Sequence, residues 1–252
     1  LSTPVYEDDR DRQFRQYHSQ AKNGVSRAFI NQNIPFEYVT ERDLSAGLAG
    51  RYPVIYLPYV LALTDTTLSQ LAAYVKQGGI VMADFPLLML DDYGRLRKQF
   101  RGSVFEQLFG FQTQDYYHTF NDPKRFNGME LESQYGDIRL THARAVKSYK
   151  DGTPAIVSSE YGKGKTLVFN FELGRSMFKP GNRGMEEFLA EQVQAHAWVP
   201  FRVKGNHTAV VYRRAAPNAD HYFVINQGGE EKVIIEGMNG NYGSAVELLS
   251  GK

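Results

Sequence analysis

The chain has no cysteine among its 252 residues. That excludes disulfides, thiolate metal sites and cysteine nucleophiles. It leaves the compartment open, because a cysteine-free chain suits oxidising and reducing surroundings alike. No apolar run is long enough to read as a transmembrane helix. The longest such stretch, Val54 to Leu63, is interrupted by Pro58. A strong charge of either sign is also missing: the net charge is +1, so no global field draws the protein to nucleic acid or anionic lipid. The six histidines form neither His-Glu-x-x-His nor a two-histidine-carboxylate pattern, so no metal or other cofactor is expected. Repeats and low-complexity tracts are absent. An initiator Met and a charged-then-apolar leader are lacking too. The expectation is a chain whose leader has been removed, or a piece of a longer protein.

What is present is an ordinary globular balance, 42% hydrophobic and 23% charged, which predicts a packed core. With 16 Tyr and 16 Phe against one Trp, the aromatics are expected mainly to fill that core. Helical periodicity runs from Asp9 to about Asn33, with Phe14, Tyr17, Ala21, Val25, Ala28 and Phe29 on one face. Asn33 and Pro35 end it. Phe36 to Thr40 reads as a short strand. The stretch Arg51 to Pro86 is the most informative. Val54 to Leu57 is apolar on both faces, as in a covered parallel strand. Thr64 or Asp65 caps a helix whose buried stripe is Leu68, Leu71, Ala72 and Val75. Gly78 and Gly79 stop it, and Ile80 to Ala83 is the next strand. Ser103 caps a short helix that Gly110 closes.

From 111 to 148 the pattern weakens; Asp115 to Phe120 and Asp137 to Leu140 read as strands of an inserted antiparallel layer. Ala155 to Ser159 and Thr166 to Phe171 read as a hairpin. A helix follows from about Arg183 to Ala197. The predicted fold is therefore α/β over residues 1–200: an open, mostly parallel sheet with helices on both faces, of amidotransferase or flavodoxin type. Residues 201–252 read as a small antiparallel β-domain with strands at Ala209–Arg213, Tyr222–Asn226, Lys232–Glu236 and Ala245–Leu249. It stops where another strand is expected, which suggests truncation.

Two motifs invite chemistry. Ser159 to Thr166 ends in the Gly-Lys-Thr of a phosphate-binding loop, but Ser159 stands where that loop needs glycine, and a strand rather than a helix follows. A basic hairpin turn is the better reading. Amidotransferase-type sheets place a cysteine nucleophile after the strand that here ends in Asp84-Phe85-Pro86. Without cysteine, glutamine hydrolysis has no thiolate. Asp84 and Glu172, the latter in Phe169-Asn170-Phe171-Glu172, fall at the carboxyl edge of the sheet, where open α/β folds bind ligands. They are the candidate ligand-binding residues. The commoner role for such residues is a strand-end carboxylate bonded to loop N–H groups.

Several segments carry a family resemblance: Phe14-Arg15-Gln16-Tyr17, Asn33 to Val39, Tyr52-Pro53-Val54-Ile55-Tyr56-Leu57-Pro58, Leu71 to Gly79, Gly152-Thr153-Pro154-Ala155, and Tyr161 to Lys165 through Leu173-Gly174. These resemble the middle, trimerisation domain of family 42 β-galactosidases. Tyr222 to Asn226 and Glu247 to Gly251 are similar to the small β-domain that follows it. In that family the catalytic glutamates belong to a preceding (β/α)8 barrel, which alone takes about 250 residues. No catalytic residue is therefore carried onto this chain. The resemblance implies a non-catalytic, accessory role: self-association, as in the family's trimer, and the rim of a carbohydrate cleft formed mostly by the barrel. The alternative is a standalone small-ligand binding or sensor module using Asp84 and Glu172. A weaker third option is a hydrolase using Asp84.

Overall fold

The computed structural model describes residues 9–97, 99–118, 124–131, 134–179, 181–204, 209–226, 228–229, 232–237 and 246. By internal contacts the chain forms two compact units: Leu1–Phe29 with Phe36–Ala197, and Ile30–Pro35 with Trp198–Lys252.

The first unit begins with α1, Asp9–Asn31. Its predicted inner face holds from Tyr17 onward: Ala21, Val25, Ala28 and Phe29 are buried. The side chain of Phe14 lies outside the described residues. Phe36 to Thr40 does not form the predicted strand, and among the described residues no strand pairs with it. Thr40 instead caps the five-residue α2, Glu41–Ser45, through a capping box with Asp43. A short 3-10 turn, Leu48–Arg51, leads into β1, Val54–Leu57. The Thr64 hydroxyl accepts from Thr67 N–H and starts α3, Asp65–Lys76. Next come β2, Ile80–Asp84, and α4, Val104–Phe109, which Ser103 caps.

The segment of weak pattern is antiparallel where it is described. Strand β3, Phe111–His118, pairs with β6, Gln134–Leu140, and β4, Arg125–Phe126, pairs with β5, Met129–Glu130. Thr119 and Phe120, within the expected strand, lie outside the described residues. Strand β7, Arg144–Ser148, leaves that layer and joins the main sheet beside β8, Pro154–Tyr161, which turns into β9, Gly164–Phe169. The main sheet has the order β1-β2-β9-β8-β7. Strands β1, β2 and β9 are mutually parallel, and β8 runs against both β9 and β7, so only β8 opposes the common direction. The mostly parallel α/β reading therefore holds.

Helices cover both faces. Val81, Ala83, Val157 and Val168 share one core with Leu68 and Leu71 of α3 and Leu108 of α4. Phe169, one residue on from Val168 and so on the other face, packs 5.7 Å from Phe188 of α6, Arg183–Gln194. The intervening α5, Leu173–Phe178, is a single short turn-and-a-half that hydrophobic periodicity missed. The Gly-Lys-Thr sequence sits in the β8–β9 hairpin. Gly162 has φ 64°, and a Cβ on Gly164 would collide with the carbonyls of Val75 and Gly79. These glycines serve a tight turn under α3, not a phosphate.

In the second unit β10, Arg202–Lys204, pairs with β13, Ile234–Glu236, and β11, Ala209–Ala215, pairs with β12, Asp220–Asn226. Strand β10 was not expected. The expected strand Ala245–Leu249 lies outside the described residues apart from Val246. Asn33, with φ 54°, accepts from Val211 N–H at 2.6 Å and ties the 30–35 segment into this unit.

Candidate functional site

Asp84 ends β2, an inner strand of the sheet, and is 0% exposed. Its Oδ1 accepts from Tyr59 N–H in the loop after β1. Its Oδ2 accepts from Gly174 N–H at 2.8 Å. Gly174 lies in the first turn of α5, whose N-cap residue, Glu172, makes no side-chain capping bond. A helix start leaves backbone N–H groups without internal partners and favours a negative charge nearby. Asp84 therefore caps α5 from a strand 90 residues away in sequence.

Burial pushes the Asp84 carboxyl up to about 7, against the downward pull of the Tyr59 and Gly174 N–H groups. The neighbouring Tyr56 ring stacks 6.3 Å from Phe169. Its hydroxyl is buried and makes no hydrogen bond of regular geometry. It still lies close enough to feel Asp84: burial first, then the carboxylate's charge, hold the phenol well above its ordinary range.

Glu172 is also 0% exposed. Its Oε1 accepts from Arg175 Nη1 at 2.7 Å. That guanidinium lies 3.5 Å over the ring centre of Tyr17 on α1, and its Nε donates to Gln20 at 3.3 Å. Tyr17 in turn meets the ring of Tyr59 edge-on at 6.0 Å. His18 Nδ1 lies 3.3 Å from the Tyr59 carbonyl oxygen, and burial lowers the histidine's pKa. The structure thus brings both predicted residues into one buried cluster, Glu172–Arg175–Tyr17–Tyr59–Asp84, with Gly174 closing it.

Sequence reading missed Arg175, Tyr59 and Gly174. Arg175 stands three residues after Glu172, the spacing at which helical side chains meet, and was open to detection. The Tyr59 and Gly174 contributions are backbone N–H groups, which carry no side-chain signature. Gly174 is also forced by crowding: a Cβ there would lie 2.7 Å from the Ala21 carbonyl oxygen and 3.0 Å from Asp84 Oδ2. A Cβ on Gly24 of α1 would lie closer still to the Gly174 carbonyl oxygen, so two glycines let α1 and α5 touch backbone to backbone.

Chemically this cluster is a brace. A carboxyl poised near neutrality resembles a general acid, but proton transfer needs hydrogen-bond reach to a substrate, and neither carboxylate reaches solvent. Among the described residues no group of three His, Cys, Asp or Glu could hold a metal ion. No helix of the described residues is long and apolar enough to cross a membrane.

Comparison with solved structures gives the same fold in larger enzymes. Gan42B, a GH42 β-galactosidase from G. stearothermophilus, matches with TM-score 0.68 and 19% identity, over 93% of this chain and 36% of that one. The β-galactosidase from Bacillus circulans sp. alkalophilus matches with TM-score 0.66 and 15% identity, over 91% of this chain and 33% of its own. That of Rahnella sp. R3 matches with TM-score 0.63 and 16% identity, over 82% and 31%. This chain thus spans about a third of the length of these structures. No curated protein matches the chain. The family model for the beta-galactosidase trimerisation domain covers residues 7–194, most of the chain and all of the brace, and the chain belongs to that family.

Proposed function

We propose that this chain is the assembly region of a family 42-like β-galactosidase. It would hold subunits together and form part of the rim of a sugar cleft, while a (β/α)8 barrel elsewhere in the parent protein hydrolyses the β-galactoside. A small antiparallel module from about residue 201 accompanies it. The observation that carries this reading is the match of the trimerisation-domain family to residues 7–194. The site geometry supports it, because Asp84 and Glu172 are engaged by backbone N–H groups and by Arg175 rather than offered to a ligand.

Light scattering on the purified chain tests the reading together with a nitrophenyl galactoside assay. The expected result is a mass above that of the monomer and no hydrolysis. A monomer at every concentration refutes the assembly role. Hydrolysis at enzyme-like rates refutes the accessory role.

A further inference from the structure

Assembly needs a surface, and one segment of the first unit supplies the features of one. Tyr93, Leu96, Phe100 and Val104 are 68%, 76%, 60% and 40% exposed. Tyr93, Leu96 and Phe100 lie on the connection between β2 and α4 and Val104 opens α4, all within twelve residues of sequence. Single exposed apolar side chains are normal on a soluble surface; a run of four on one segment is a patch. Beside it opens a cleft of about 680 Å³, walled by Leu68, Phe100, Val104 and Phe105, with Leu96 on its lip.

The segment is pinned. Leu90 N–H donates to Leu61 O at 2.9 Å and Arg97 N–H to Met89 O at 2.8 Å. Asp91 Oδ1 accepts from the N–H groups of Tyr93 and Arg95, each at 2.9 Å. The Arg97 guanidinium, itself buried, donates to Leu63 O and pairs with Asp65. The apolar side chains are therefore held out to solvent on an ordered frame, which lowers the ordering cost of binding.

We infer that this lip and cleft form the contact by which one copy of the chain binds the next. The inference rests on the assembly reading above and adds where the assembly occurs. Two features favour a second copy as the occupant. The rim carries two acids and two bases, already paired within one copy as Asp91–Arg95 and Asp65–Arg97. A second copy brings the same balanced set, so closure buries no net charge and strands none. Lip and cleft also adjoin and differ in shape, so the lip of one copy fits the cleft of another and the surface is complementary to itself. Strand β7, an edge of the main sheet, is a poorer candidate: its ladder is bulged on both sides of Lys147, and bulges and inserted charge disfavour edge pairing.

The test is sedimentation velocity on the 252-residue chain and on the double variant Leu96→Asp, Phe100→Asp, with circular dichroism melts of both. The expected result is an assembled wild type and a monomeric variant that melts cooperatively, with the Tm that wild type shows when diluted below its assembly range. A folded variant that keeps the wild-type mass overturns the surface and leaves the assembly reading standing. A wild type that is monomeric throughout sinks both. Should the double variant not fold, Leu96→Cys gives a second readout, because the chain has no other thiol. Maleimide labelling is expected to be about tenfold slower at assembling concentrations than at high dilution, as an interface thiol loses access. Equal labelling rates overturn the proposal.

Discussion

Replacing Asp84 with Asn changes one atom and separates two effects that the brace combines. Asp84 offers an acceptor to each of two buried N–H groups, Tyr59 and Gly174. Asn offers one acceptor, and its amide nitrogen would face the other N–H. Leaving a buried donor without an acceptor costs about 1–3 kcal/mol. Against this, Asn removes a buried charge. The Asp84 carboxyl moves from 3.8 to about 7 on folding. A raised carboxylate binds its proton more tightly in the folded chain. Its contribution is therefore fully present below pH 3.8 and is lost as pH rises through about 7. At about 1.4 kcal/mol per tenfold change in the proton equilibrium, the loss between pH 5 and pH 8 is about 3 kcal/mol.

The prediction follows from the difference. Asp84→Asn is less stable than wild type by about 1–3 kcal/mol at pH 5. The gap narrows by about 3 kcal/mol towards pH 8, so that it closes or reverses there. The assay is urea unfolding followed by circular dichroism, for both chains, at pH 5, 6.5 and 8. The rest of the cluster is the same in both chains, and burial keeps the Tyr56 phenol protonated across this range, so the pH-dependent difference between the chains reports mainly on Asp84. A gap that does not change with pH refutes the argument that burial, rather than the N–H donors, dominates at Asp84.

Two further changes probe the same cluster. Gly174→Ala places a methyl against the Ala21 carbonyl and Asp84, and is expected to lower stability by about 1–3 kcal/mol, seen as a depressed Tm. An unchanged Tm would mean that α1 and α5 are not packed as described. Arg175→Met leaves the Glu172 carboxylate buried without its cation and should cost about 3–5 kcal/mol in urea unfolding, whereas adding Glu172→Gln should recover much of that loss. Additive losses in the double variant would show that the pair is not coupled.

The parts of the fold that were legible in sequence are those where one signal sufficed. Strand β1, α3 and β2 were readable because an apolar four-residue run, a Thr64 cap and a Gly78-Gly79 stop sit in order along the chain. Residues 36–40 misled because Phe36, Tyr38 and Val39 have strand-forming side chains, yet a strand exists only where a neighbour accepts its hydrogen bonds. Helices α2 and α5, of five and six residues, are too short to show periodicity. Asp84 and Glu172 were found because strand ends are where polar side chains collect. Their partners were not, because Tyr17 lies 158 positions before Arg175 and its ring contact depends on how α1 crosses α5.

That crossing explains why the carboxyl edge of this sheet is closed. Open α/β sheets bind ligands beyond the carboxyl ends of their strands, provided that nothing else occupies the space. Here the start of α5 occupies it above β2, and Gly24 and Gly174 let α1 lie directly against α5. Part of the closure is backbone against backbone at Gly24 and Gly174, which side-chain rotation alone does not move. A ligand reaching Asp84 would have to displace α5, uncap it, and separate Glu172 from Arg175 in one step. The Asp84–Gly174 bond is buried and the Glu172–Arg175 pair nearly so, so a ligand's own hydrogen bonds could at best replace them. A carboxylate near neutrality in such a place marks the strength of its burial rather than readiness for catalysis. The proposed contact between copies lies elsewhere, on the outer surface of the domain, where Tyr93, Leu96, Phe100 and Val104 meet solvent.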